Sequence, residues 1–241
     1  MTSRPERIVS SVIAPTSSLP GFDPREVAVA GVDADLPAVL AAALTADALR
    51  GRFAAPPPWS PEVVLERWSG DRAPTQAAVL IPIVQRGSGP TVLLTERTAH
   101  LSNHSGQVAF PGGRADPTDA SPAATALREA HEEVGLEARF AEVIGALPTY
   151  RTGTAFVITP VVALVRPDFV LAPNAYEVAD VFEVPLVFLA DPANHRRHVY
   201  EGPDAVRREW FSMPWNDGAK EHFIWGATAG MLRNLYRFLS A

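Results

Sequence analysis

Gly112 to Leu136 reads GGRADPTDASPAATALREAHEEVGL: a glycine turn, an acidic loop, and a short helix with three glutamates on one side. Ser121 suits the N-cap, and Pro122 suits the first helical position, where its missing N–H is not needed. Ala, Leu, Arg and Glu then dominate, all strong helix formers, until Gly135 supplies a stop. At about 100° per residue, Glu129, Glu132 and Glu133 fall at i, i+3 and i+4, so their carboxylates share one face. Ala123, Leu127, Ala130 and Val134 form the opposite, apolar stripe.

Three carboxylates on one turn repel each other and weaken a helix unless a cation joins them. Arg128, four residues before Glu132, compensates in part. A hard divalent cation answers the pattern better, because oxygen ligands on a rigid element suit Mg²⁺ or Mn²⁺. An isolated E-x-x-E-E would read as a solvated acidic face; the flanking turn, cap and stop give this one a context.

At these residues the chain resembles the Nudix hydrolases. Their signature runs Gly, five residues, Glu, seven residues, then Arg-Glu-apolar-x-Glu-Glu-x-Gly-apolar. Its second half is met in full from Arg128 to Leu136. In the first half the spacing is longer by one, and Gly113 and Asp119 stand as the matching pair, with Asp116 nearby. The resemblance implies a metal-ligand role for Glu129, Glu132 and Glu133, and a positioning role for Arg128.

The preceding block, LLTERTAHLSNHSGQVAFPGG from Leu93 to Gly113, is similar to the companion motif of the coenzyme A pyrophosphatases within that family. Leu93, Leu94, Thr95, Arg97, Gly106, Phe110, Pro111, Gly112 and Gly113 fit it. Thr98 and Ser102 depart from it, Ser102 standing where a second arginine belongs. Glycines after Phe110 and Pro111 let backbone N–H groups approach an anion such as a pyrophosphate.

Length and composition agree with one large domain and an appendage: 241 residues, 47% hydrophobic and 20% charged. No stretch approaches a membrane span. Zero cysteines exclude disulfides and cysteine-ligated metal sites, and the cytoplasm is the expected compartment. The net charge is −6, and the basic pairs Arg196-Arg197 and Arg207-Arg208 are isolated, so neither a nucleic-acid partner nor a membrane is expected.

The expected domain limits are residues 1–72 for an N-terminal extension and 73–241 for the catalytic domain. Residues 1 to about 35 read as loosely ordered. Leu36 to Phe53 has helical spacing, and Pro61 to Trp68 reads as a second short helix. A helical cap on the sheet is the preferred role for this extension; a substrate lid or a homodimer contact is the alternative.

Strands are expected at Ala77 to Val84, Thr91 to Glu96, Gln107 to Phe110, Arg139 to Leu147, Ala155 to Val165, Arg197 to Glu201 and Glu209 to Met213. The apolar run Tyr176 to Leu189 follows a loop. Phe223 to Leu239 reads as a closing helix. Together these give an α/β fold, an α/β/α sandwich around a mixed β-sheet.

Remaining candidates lie in loops. Tyr150 and Arg151, between two strands, either offer an aromatic face and a cation for an adenine and a phosphate or belong to an ordinary hairpin loop. The resemblance to the Nudix hydrolases also implies a downstream loop carboxylate as extra metal ligand or general base, and Glu177 is favoured for it, with Glu183 its competitor. His100, His104 and His131 lie near the site in sequence but lack metal-ligand spacing, and the Trp residues read as packing.

The resulting expectation is Mg²⁺- or Mn²⁺-dependent hydrolysis of a small nucleotide substrate. If the closer resemblance holds, that substrate is coenzyme A or an acyl derivative, split into 4′-phosphopantetheine and adenosine 3′,5′-bisphosphate. ADP-ribose, NADH, a dinucleotide or a nucleoside triphosphate is the rival within hydrolases. A non-catalytic Nudix-fold binding protein is the rival from another class.

Overall fold

The stretch TQAAVLIPIVQR, residues 75–86, carries apolar side chains at both odd and even positions, the pattern of a strand covered on both faces. In the computed structural model, which describes residues 22–63, 73–99, 106–202 and 206–241, it lies at the centre of a large sheet.

The chain begins with strand β1 (Val29–Val32), a 3₁₀ turn at Ala41–Leu44 and helix α1 (Ala46–Ala54). Strands β2 (Thr75–Arg86), β3 (Gly89–Arg97), β4 (Val108–Ala109) and β5 (Gly112–Arg114) lead into helix α2 (Pro122–Val134). Next come β6 (Ala141–Ala146), β7 (Tyr150–Arg151), β8 (Phe156–Val165), β9 (Val178–Pro185) and a single turn, α3 (Leu186–Leu189). Strands β10 (Arg196–Glu201), β11 (Arg207–Asn216) and β12 (Glu221–Trp225) precede the last helix, α4 (Gly226–Leu239).

The large sheet has the order β4-β3-β2-β8-β6, with β5 on β2, β7 on β8 and β9 on β3. β2 and β8 run parallel, and the other pairs are antiparallel, so the sheet is mixed. A smaller antiparallel sheet has the order β1-β10-β11-β12. β9 pairs with β3 from Thr91↔Pro185 to Glu96↔Asp180 and then slips by one, so that Arg97 faces Val178. This bulge lies at the rim of the site described below.

Alternation on the central strands feeds two cores. Leu80, Leu93, Val161 and Ala163 point to one face, where Ala126, Ala130 and Val134 of α2 cover them. Ile81, Ile83, Leu94, Val162 and Leu164 point to the other, packed with α4 and the small sheet. Helices therefore lie on both sides of the mixed sheet, as the sequence pattern leads one to expect.

Several boundaries differ from the sequence expectation. Val29–Val32 is a strand at the edge of the small sheet, not loose chain. The helix expected over 36–53 is a 3₁₀ turn and a shorter helix, divided at Thr45, whose side chain accepts from the Ala48 N–H and caps the second piece. The closing helix starts only at Gly226, whose φ of 62° turns the chain out of β12. The run Tyr176 to Leu189 is a strand over Val178–Pro185 followed by one helical turn. Most of the helix expected over 61–68 lies outside the described residues.

The early segment is tied into the main body. Val39, Leu44, Leu49 and Val63 belong to the core under α4. Phe53 rests on Gly145 of β6, where an added Cβ would lie 2.5 Å from its ring. Arg233 of α4, 2% exposed, donates to Glu62 at 2.7 Å and to His195 Nδ1 at 3.1 Å, and approaches Asp33 at 2.9 Å. Because the Leu189 carbonyl accepts from His195 Nε2, the ring is neutral with its Nδ1 lone pair toward Arg233. Burial, reinforced by Arg233, holds its pKa down at about 4.

Candidate active site

Helix α2 is built as its sequence dictates. The Ser121 hydroxyl accepts the Ala124 N–H at 3.2 Å, and Gly135 ends the helix at a φ of 73°, in the left-handed region. Its Ala and Val stripe is buried on β2 and β8, which fixes the glutamates toward β5. There Gly113 faces Glu129 so closely that a Cβ would fall 2.6 Å from the carboxylate carbon. Gly112 is as constrained from the other side, with a Cβ position 2.5 Å from the Ala78 carbonyl oxygen. Glycine at both positions lets the turn lie between strand and helix.

Glu133 is the most buried of the three, its side chain 7% exposed. One oxygen accepts the Gly112 N–H at 3.2 Å, and the other lies 3.8 Å from Arg97. Burial raises its pKa to about 7; Gly112 and Arg97 oppose the rise, while Glu129 and Glu177 add to it. Burial likewise raises Glu129, against its hydrogen bond from Arg128. Glu132 stays open to solvent, its side chain 56% exposed.

Arg128 holds this face in register. It donates to Glu129 at 2.9 Å, to Glu132 at 3.0 Å and to the Arg114 carbonyl at 3.0 Å, and grips Asp119 with two nitrogens at 3.0 and 3.1 Å. Asp119 also accepts from the Asp116 N–H and the Thr125 hydroxyl. The Arg128 contact above all holds the Asp119 carboxyl below the usual carboxylate range. Asp119 therefore anchors the loop to the helix, and Asp116 caps its own turn through Thr118.

A cleft of about 350 Å³ opens beside Glu133. Arg97, Phe110, Gly112 and Gly113 line it, so two motifs separate in sequence meet at one place. Pro111 stands behind the wall, its carbonyl accepting the Leu80 N–H at 2.8 Å. Glu177 is half-buried and close enough to Glu129 and Glu133 to raise both. Glu183 is committed elsewhere, to Arg86 at 2.6 Å and Thr91 at 2.5 Å.

In the loop after β6 the two expected substrate contacts are placed otherwise. Tyr150 is 1% exposed with its ring against Gly230 of α4, so its aromatic face is packing and not a platform for a base. Arg151 points to solvent from β7, and Thr152 and Thr154 line the cleft in its stead. His131 is exposed on α2; His100, His104 and Ser102 lie outside the described residues.

The remaining wall comprises residues the sequence reading did not assign to the site: Arg114 over the Phe156 ring at 5.5 Å, Ile158, Trp225 and Met231. Phe156 and Ile158 could have been found from alternation on β8. Trp225 lies at a strand-to-helix junction that helical spacing hides. The side chains suit a hard cation in kind: Glu129, Glu132 and Glu133 are carboxylates of one helix with Glu177 nearby, and burial raises Glu133 against the opposing charge of Arg97.

The stretch that holds this glycine turn, its helix and the cleft beside Glu133 matches the NUDIX domain family over residues 74–223. The chain belongs to the Nudix hydrolases, enzymes that cleave phosphoanhydrides and generally use divalent metal ions. It is 47% identical over 160 residues to the uncharacterized Nudix hydrolase NudL of Escherichia coli K12, an alignment covering 66% of this chain and 80% of that protein. NudL of Enterobacter sp. strain 638 is 46% identical over the same shares. Among solved structures, the Nudix hydrolase RenU of M. smegmatis aligns at 28% identity and a TM-score of 0.43, covering 56% of this chain and 84% of that one.

Proposed function

We propose that this enzyme hydrolyses the pyrophosphate of coenzyme A or its acyl derivatives, releasing 4′-phosphopantetheine and adenosine 3′,5′-bisphosphate. The observation supporting this reading is the convergence of Arg97, Phe110, Gly112 and Gly113 with Glu133 on one cleft. The cleft continues from those groups along apolar side chains, Phe156, Ile158 and Met231, which suit the uncharged arm of such a substrate better than a second phosphate.

Glu129, Glu132 and Glu133 would hold Mg²⁺ or Mn²⁺, which when bound neutralises pyrophosphate oxygens and makes water a stronger nucleophile. Arg97 donates to a phosphate oxygen, and the turn at Gly112 and Gly113 lets the substrate approach the backbone. Glu177 accepts the proton of the attacking water at its carboxylate. Arg128 keeps Glu129 and Glu132 oriented and acts only through them. The extension over 1–72 serves as a cap on the catalytic domain, and the enzyme works in the cytoplasm on a free nucleotide. Among the described residues no helix is long and apolar enough to cross a membrane.

The test is product analysis with coenzyme A, ADP-ribose and NADH, each with Mg²⁺ or Mn²⁺. Release of adenosine 3′,5′-bisphosphate is expected. Cleavage of another compound with coenzyme A intact would move the specificity and leave the chemistry. Metal binding without turnover of anything tried would favour a binding protein.

A further inference from the structure

A second group of metal-ligating side chains stands outside the cleft, where the end of the β3–β9 pair meets β12. Glu96 and Asp180 are register partners across β3 and β9, and His222 projects from β12; one donor atom from each lies within 4.8 Å of the others. Lys220 spans the two carboxylates, 3.0 Å from Glu96 and 2.8 Å from Asp180.

The imidazole distinguishes this group from a balanced surface cluster. The His222 side chain is 0% exposed and stacked on Phe182, ring centroids 3.6 Å apart and 17° from parallel. Asp217 lies 2.9 Å from its Nε2. A carboxylate only accepts, so Nε2 carries a proton, and in the neutral ring, the form that ligates a metal, Nδ1 presents a lone pair. That buried Nδ1 has no hydrogen-bond partner among the described residues and faces Glu96 Oε2 at 4.0 Å. A lone pair held toward a carboxylate oxygen is repulsive unless a cation lies between them.

From this geometry we propose that Glu96, Asp180 and His222 form a binding site for a first-row divalent cation, best matched by Zn²⁺, distinct from the catalytic cations. Two carboxylates and one imidazole are a donor set that zinc accepts. The Asp217–His222 pair supplies the carboxylate behind the ligating ring that such sites use to fix tautomer and direction. Lys220 is the resident counter-ion, and with its side chain 45% exposed it can swing into solvent as the metal enters. The ion would join the large sheet to the small one, one residue from Arg97.

The experiment is calorimetric titration of the full chain with Zn²⁺, in a Glu129→Gln/Glu133→Gln background that weakens metal binding in the cleft. One Zn²⁺ per chain is expected. Affinity should fall at least tenfold in Glu96→Gln and in Asp180→Asn, and rise about tenfold in Lys220→Met. X-ray absorption of the bound zinc should show one imidazole among oxygen ligands, which tests His222 without altering a buried residue. No uptake, uptake indifferent to both carboxylate variants, or a zinc shell without imidazole would each overturn the site.

Discussion

Two arginines of this molecule are ringed by acids, and they differ in how the charges balance. Around Arg233, in the core, Asp33 and Glu62 are answered by three guanidiniums, those of Arg233, Arg197 and Arg237. Around Arg128, at the cleft, Asp119, Glu129, Glu132, Glu133 and Glu177 share, among the described residues, Arg128 and Arg97. The first cluster is complete without help and fastens the early segment to α4. The second keeps a surplus of negative charge on a rigid helix, which costs stability and is useful only where cations arrive with the substrate.

The sharpest way to break this contrast is Glu133→Gln. Metal-supported hydrolysis should fall about a thousandfold, equivalent to about 4 kcal/mol, with circular dichroism unchanged. Retention of wild-type turnover would remove Glu133 from the site. In the core, Arg233→Met should cost about 3 kcal/mol in urea unfolding, because Asp33 stays buried beside one partner fewer. Its turnover per folded molecule should be preserved.

The pH response distinguishes the two clusters next. Glu133 has a folded pKa raised to about 7. An acid raised on folding contributes stability that is full below its unfolded value and is lost as pH climbs through the folded one. Metal-free protein should therefore lose roughly 3 kcal/mol between about pH 4.5 and 8 from this group. Thermal melts of wild type and Glu133→Gln across that range should diverge, the variant losing less; parallel curves would contradict the burial argument. The smallest effect is that of the cap: Ser121→Ala should lower stability by about 1 kcal/mol, seen as a modest shift in urea midpoint.

The catalytic helix was legible because everything that makes it is local. Ser121, Pro122 and Gly135 set its ends, and the spacing of Glu129, Glu132 and Glu133 sets its face. Arg97 and the Phe110–Gly113 turn were legible as a motif, though not the distance across which they meet Glu133. Tyr150 misled because a loop aromatic beside an arginine looks available until the packing of Gly230 is known. Trp225 was hidden by a helical pattern running on from a strand, which Gly226 interrupts by turning the chain. The Arg233 cluster joins residues 33, 62, 195 and 233, and no periodicity reports on contacts of that span.

The slip between β3 and β9 has its own consequence. Ala179 is an unpaired residue between Asp180, opposite Glu96, and Val178, opposite Arg97. It takes up one residue of chain while leaving Val178 in the register that regular pairing would give it. Val178 is packed on the α2 face opposite Arg97, and regular pairing straight after Asp180 would keep it there. Deleting Ala179 would leave both faces as they are and shorten the chain that carries Glu177, so the tolerance of this position to deletion is a question of reach rather than of parity.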